Sequence, residues 1–241
     1  MSGLISLKRS VIPACDVPSL ERLRELVEAT HGIEGVGAYK IGFSLALRFG
    51  LPKVVEAIRS LSPKPIIYDH QKAGTDIPDT GEVFALACKD AGVNAVILFP
   101  FAGPATQIAW TKAAADAGLG VIVGTEMTHE RFLHADGGYL VDEMPLRALT
   151  LAARTGVRDF VVPGNKPERI ALYRQEAEKL LGAGNFAFHS PGFLAQGGEL
   201  SEGAKAAGEN FHAIVGRAIY GAGGETQMRE AAEKLAEKLF G

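Results

Sequence analysis

The sequence predicts an α/β fold: one domain, residues 1–241, built as a single (β/α)8 barrel with its active site at the C-terminal ends of the strands. Three observations predict it. Short β-branched apolar runs alternate with longer amphipathic stretches, eight times over. The runs are continuously apolar rather than alternating, as parallel strands covered on both faces require. Eight such units in 241 residues match the size of this barrel. A doubly wound open sheet would instead carry a Gly-rich turn after its first strand. Here that strand runs into Ala14-Cys15-Asp16-Val17-Pro18.

The elements follow in order. Residues 11–15 form the first apolar run and 19–30 the first amphipathic stretch. A strand over 36–41 leads into a helical region that reaches Leu61. Residues 65–69 make strand three, followed by a helix over 79–91. Strand four covers 94–99 and its helix 104–117. Strand five covers 120–125; a long loop, 126–140, precedes a helix over 143–155. Strand six is 159–162, with a helix over 167–181. Strand seven is short, 186–188, and opens into a Gly-rich loop, 190–198. Strand eight covers 211–215, and the last helix 225–240. No linker, low-complexity segment or composition break interrupts the series.

Composition excludes several classes of function. Hydrophobic residues make up 47% and charged residues 22%, which is ordinary for a globular protein. No apolar run approaches the roughly 20 residues of a membrane helix. Residues 1–10 hold Lys8 and Arg9 but no long apolar segment or cleavage site, so no signal peptide is expected. Lys and Arg total 25 against 28 Asp and Glu; the basic excess or stripe of a nucleic-acid binder is missing. Cys15 and Cys88 lie far apart and read as small buried residues of a reducing, cytoplasmic compartment. Glycine is in excess, 29 residues, as tight turns or loops that approach a ligand closely would produce.

If the active site lies at the C-terminal strand ends, the residues after each strand are its candidates. Strands one to three deliver Asp16, Lys40, Asp69, Lys72 and Asp76, with alternating charge. Like charges about 4 Å apart repel by roughly 4 kcal/mol at an effective dielectric near 20. Alternation removes that cost and keeps the lysines protonated, and a held ammonium can stabilise and protonate a carbanion. The same residues would also suit a structural ion-pair network at the rim. Strands seven and eight deliver Gly192, Gly197, Gly198, Gly216 and Arg217. Gly-rich turns and a guanidinium suit a phosphate; they would equally suit plain turns and an Arg217–carboxylate pair. His189 reads as a packed rim histidine, and Trp110 as core or interface. His129 and His134 lack metal-ligand spacing, and Cys15 has no basic neighbour to make it a thiolate.

Several stretches together resemble the orotidine 5′-phosphate decarboxylase family, in its compact archaeal-type form. They are Ala14-Cys15-Asp16, Tyr39-Lys40-Ile41-Gly42, Asp69 through Lys72 to Asp76-Ile77-Pro78-Asp79-Thr80, Thr125-Glu126-Met127-Thr128-His129, Ser190-Pro191-Gly192 with Ala195-Gln196-Gly197-Gly198, and Ile214-Val215-Gly216-Arg217-Ala218-Ile219-Tyr220. They occur in family order from strand one to strand eight. The resemblance implies cofactor-free decarboxylation of orotidine 5′-phosphate to UMP in pyrimidine biosynthesis. It implies Lys40, Asp69, Lys72 and Asp76 as the catalytic set. Lys72 would stabilise and protonate the C6 carbanion, with Asp69 beside the departing carboxylate. Lys40 would pair with the aspartates and touch the ribose, and Asp16 would bind a ribose hydroxyl. Thr128 would bind the pyrimidine. Pro191, Gln196 and Gly197 would belong to the phosphate lid, and Gly216 and Arg217 would grip the phosphate. Asp76 and Thr80 would reach the neighbouring site of a homodimer.

One departure bears on this. The family pattern Asp-x-Lys-x-x-Asp is lengthened here by one residue in each interval, Asp69-His70-Gln71-Lys72-Ala73-Gly74-Thr75-Asp76. One added residue turns an extended side chain to the opposite face. A bulge at this segment, aided by Gly74, is therefore expected to bring Lys72 back into the site. The segment Phe99-Pro100-Phe101 also differs from many relatives and carries no assigned role. Two alternatives remain open: a Mg²⁺-dependent sugar-phosphate decarboxylase or aldolase of the same superfamily, and a nucleotide-binding protein that has lost its chemistry.

Overall fold

The computed structural model describes residues 4–70, 76–193 and 199–240. Eight strands form one parallel sheet: β1 (Arg9–Pro13), β2 (Tyr39–Gly42), β3 (Ile66–Asp69), β4 (Ala95–Leu98), β5 (Gly120–Gly124), β6 (Asp159–Val161), β7 (Ala187–Ser190) and β8 (Phe211–Val215). Each strand from β2 to β8 pairs with the next, and β8 pairs with β1. Between β1 and β2 there are only two bridges, Val11–Val36 and Ala14–Lys40. They close the sheet into the expected TIM barrel.

The helices are α1 (Leu20–Thr30), α2 (Phe43–Phe49), α3 (Leu51–Arg59), α4 (Gly81–Asp90), α5 (Pro104–Asp116), α6 (Met144–Arg154), α7 (Pro167–Leu181), α8 (Leu200–Ala207), α9 (Arg217–Tyr220) and α10 (Glu225–Phe240). Among the described residues none is long and apolar enough to cross a membrane. α1 starts where the Ser19 hydroxyl accepts from the Arg22 N–H at 3.2 Å, satisfying one of the free donors of a helix start. Its Leu23, Leu26, Val27 and Ala29 stripe is buried. The helical region after β2 is two helices, not one. Gly50 takes φ +82 between them, a conformation glycine adopts without the penalty of a Cβ. Pro52 then suits the first turn of α3, where no N–H is needed.

Two apolar layers result. Side chains on the outer faces of the strands pack under the helices. Inward-facing Ile12, Ala38, Ile67, Ala95, Ile97, Ile122, Val161 and Ile214 fill the barrel. Most strands and helices fall within a few residues of their sequence-derived positions. α8 and α9 were not expected.

His189 is packed as expected, but in the barrel interior rather than at the rim. It pairs in register with Val161 and His212, and His212 pairs with Ser10. The Ser10 hydroxyl and His212 Nδ1 lie 2.8 Å apart, and the His189 and His212 rings 4.9 Å apart. His189 Nε2 reaches Asp159 Oδ1 at 2.8 Å. Burial, reinforced by His189, holds the His212 pKa well below the ordinary histidine range. An unfolded chain therefore takes up a proton at His212 that the folded one refuses. Stability is full above about pH 6.5 and falls as pH drops below it, by up to ~1.4 kcal/mol per pH unit, until the lower folded value is reached. Urea unfolding at pH 7.5 and 5.5 should show this loss, and His212→Gln should flatten it. The same slope in both proteins would mean that another group titrates.

Candidate active site at the barrel mouth

Parallel strands deliver their inward rows to one face of the barrel. β2 and β3 place the first pair. Lys40 lies opposite Ile67 in register, and Gly42 opposite Asp69. Lys40 Nζ stands 3.1 Å from Asp69 Oδ2, with the two side chains only 9% and 6% exposed. The Cys15 N–H donates to the Lys40 carbonyl at 2.8 Å, which brings the end of β1 and its Asp16 alongside. Burial is the largest influence on Lys40 and presses its pKa down. Asp69 and Asp16 outweigh it and hold the ammonium above the ordinary lysine range. At this separation the direct attraction is about 5 kcal/mol at an effective dielectric near 20. Asp16 Oδ1 is buried with no hydrogen-bond partner among the described residues. An open acceptor of this kind costs ~1–3 kcal/mol, which a donor on a bound molecule would recover.

β5 and β6 build the opposite bank. Glu126, just past β5, is buried. It accepts from Lys166 Nζ at 2.9 Å, from Arg169 Nε at 2.6 Å and from the Tyr173 hydroxyl. Burial is the largest influence on its carboxyl and pushes the pKa up; the bonds from Tyr173, Lys166 and Arg169 reverse this and leave it below the ordinary range. Lys166 also donates to the Met127 carbonyl at 3.2 Å, and Asn165 Nδ2 to the Thr128 carbonyl at 2.9 Å. The loop carrying Thr128 is thus tied to the loop after β6 and to the start of α7.

Lys40, Asp69, Thr128 and Pro191 line one cavity of about 270 Å³, together with Phe99 and Glu126. A larger hollow, about 730 Å³, lies at the other end of the barrel beside residues 4–8 and the starts of β5 to β8. It contains none of the candidate residues, which meet instead at the smaller cavity. Gly216 follows β8, and Arg217 is exposed at the start of α9. Asp76 is exposed and accepts from the Thr80 hydroxyl at 3.2 Å. Among the described residues, Gly216, Arg217, Asp76 and Thr80 do not line the cavity. Lys72, Gln196 and Gly197 fall outside the described residues, as does the expected bulge. Cys15 and Cys88 are buried; burial pushes both thiols up, Cys88 to about 12. Trp110 is buried and donates to the Ile77 carbonyl at 3.0 Å.

A family model described as "Orotidine 5′-phosphate decarboxylase / HUMPS family" matches residues 9–235. The chain belongs to this family. Across this decarboxylase family, the chain is 34% identical to the orotidine 5′-phosphate decarboxylase of Methanosarcina barkeri, over 96% of this chain and 95% of that protein. It is 29% identical to that of Pyrococcus furiosus over 95% and 97% of the two chains. The solved Methanocaldococcus jannaschii decarboxylase, complexed with the inhibitor BMP, superposes with a TM-score of 0.80 at 28% identity, covering 96% of this chain and 98% of that one.

Phe99 was given no role by the sequence reading, and the three residues that hold Glu126, namely Lys166, Arg169 and Tyr173, escaped it. One signal pointed at the last three. Glu126 directly continues the apolar run Val121-Ile122-Val123-Gly124-Thr125, and a carboxylate there must find cations once buried.

Proposed function

We propose that this protein decarboxylates orotidine 5′-phosphate to UMP in de novo pyrimidine biosynthesis, without a cofactor, working as one domain over residues 1–241. The observation that carries the reading is the buried Lys40–Asp69 pair at the barrel mouth, in a chain of this family. Fixed charges in a water-poor site can act on charge that develops in the transition state without reorganising first. In the reaction the C6–carboxylate bond breaks, CO2 leaves, and the electron pair stays on C6. Lys72 stabilises that carbanion and donates a proton to it, and solvent returns the proton to Lys72. Asp69 stands beside the departing carboxylate, and its charge also holds Lys40 protonated. Lys40 and Asp16 bind the ribose, which is consistent with the open acceptor on Asp16. Thr128 positions the pyrimidine. Pro191, Gln196 and Gly197 close over the phosphate that Gly216 and Arg217 grip, so remote binding energy assembles the charged site.

The active form is a homodimer in which Asp76 and Thr80 reach the neighbouring site. Ile77, Val83, Leu86 and Ile108 support this: they are exposed on the turn after Asp76 and on α4 and α5. Apolar residues grouped on a surface mark contact sites. The protein acts in the cytoplasm.

The matched family also carries the HUMPS name, so a Mg²⁺-dependent sugar-phosphate enzyme is the second reading. Ultraviolet absorbance separates the two. Purified protein with chelator should bleach the orotate chromophore of orotidine 5′-phosphate and release UMP. An unchanged spectrum, with activity on a sugar phosphate restored by Mg²⁺, would overturn the decarboxylase reading.

A further inference from the structure

Phe99 directly follows β4 and is 3% exposed, yet it lines the same cavity as Lys40, Asp69 and Thr128. Its place depends on β5. Gly124 faces inward there, and a Cβ on it would lie 2.4–2.5 Å from three atoms of the Phe99 ring. Only the missing side chain leaves room for the ring. The ring is also braced: Phe101 lies 5.5 Å from it, and Phe132 lies 5.7 Å from Phe101. Ile97, Val161 and Ile214 line the cavity alongside it. Lys40, Asp69 and Glu126 are therefore the charged part of the lining, and Phe99 with Ile97, Val161 and Ile214 is its apolar part.

An aromatic face attracts a flat, unsaturated ring through dispersion and offset stacking. It offers nothing to a hydroxyl, so a polyhydroxylated chain pressed against it would lose water contacts without replacement. We propose that Phe99, seated in the space that Gly124 leaves, is the specificity-determining wall that selects a planar heterocycle over an open sugar chain. This deepens the nucleotide reading above and rests on it.

Calorimetry with UMP and with ribose 5-phosphate tests the proposal, because the second ligand carries a hydroxyl where the first carries the base. Phe99→Ala should weaken UMP binding about tenfold or more and leave ribose 5-phosphate within about twofold. Gly124→Ala, which pushes the ring from β5, should give the same selective loss. Phe99→Leu, which keeps most of the apolar volume, serves if the alanine variant does not fold, and should show a smaller loss of the same kind. Equal losses for both ligands would make Phe99 a packing residue and overturn the proposal. So would UMP binding that survives all three substitutions. If the unaltered protein binds UMP no better than ribose 5-phosphate, the nucleotide reading itself fails, and this proposal falls with it.

Discussion

Asp69→Asn should lower kcat/KM on orotidine 5′-phosphate by at least about 10²–10³-fold, the scale seen when one preorganised electrostatic group is removed from a site. Asparagine keeps the shape and loses the charge. Lys40 would then be a buried ammonium with Asp16 as its remaining counter-charge, and breaking a buried pair costs about 3–5 kcal/mol. The melting temperature should fall as well. The pH profile distinguishes this from simple loss of fold. In the intact protein the Lys40 pKa is raised, so its contribution is full below the unfolded lysine value near 10.4 and is lost as pH rises through the folded one. Without Asp69, burial dominates, and the alkaline loss of activity should move to lower pH. An Asp69→Asn variant with near-normal kcat/KM would show that the pair is only structural.

Glu126→Gln should destabilise the protein by about 3 kcal/mol, toward the lower end for a broken buried pair, because Lys166 and Arg169 keep partial access to water. Three donors converge on this carboxylate, and an amide oxygen cannot balance two cations. The loop after β5 would lose its tie to α7, so KM should rise through Thr128. The Glu126 pKa is depressed, so its stabilisation is present above the unfolded carboxyl value of about 4.3 and is lost as pH falls through the lower folded one. His212 begins to cost stability below about pH 6.5 and Glu126 only below about 4.3, so the acid loss should steepen there, and Glu126→Gln should remove that added part. Chemical denaturation across pH 3–7 reads both. An unchanged melting temperature with unchanged KM would remove Glu126 from the site's support.

The barrel was legible because its strands are unbroken apolar runs and its helices carry one-sided stripes such as Leu23, Leu26 and Val27. α8 was not, because Leu200–Ala207 is short and follows directly on a Gly-rich run that reads as loop. α9 is a single turn, too short for a period to show. Lys40 and Asp69 were legible because polar residues at strand ends must enter the mouth, and Thr128 and Pro191 through the family resemblance. The ties from Lys166, Arg169 and Tyr173 were not: they join segments about 40 residues apart, and nothing local marks the partner. Phe99 was hidden for a related reason, since its role depends on a glycine in the neighbouring strand.

The closure of the sheet has a consequence for how the protein is made. Of the eight strands of this sheet, β1 is the first to leave the ribosome, and its ladder partner β8 is the last. Synthesis proceeds from the N-terminus, so until Phe211–Val215 emerges β1 has only its two bridges to β2. The growing chain carries a sheet with open edges, which are templates for pairing with other chains. Asp16 and Lys40 are translated well before the ladder that anchors β1 beside them. A chain cut short before β8 would have both residues and no finished pocket.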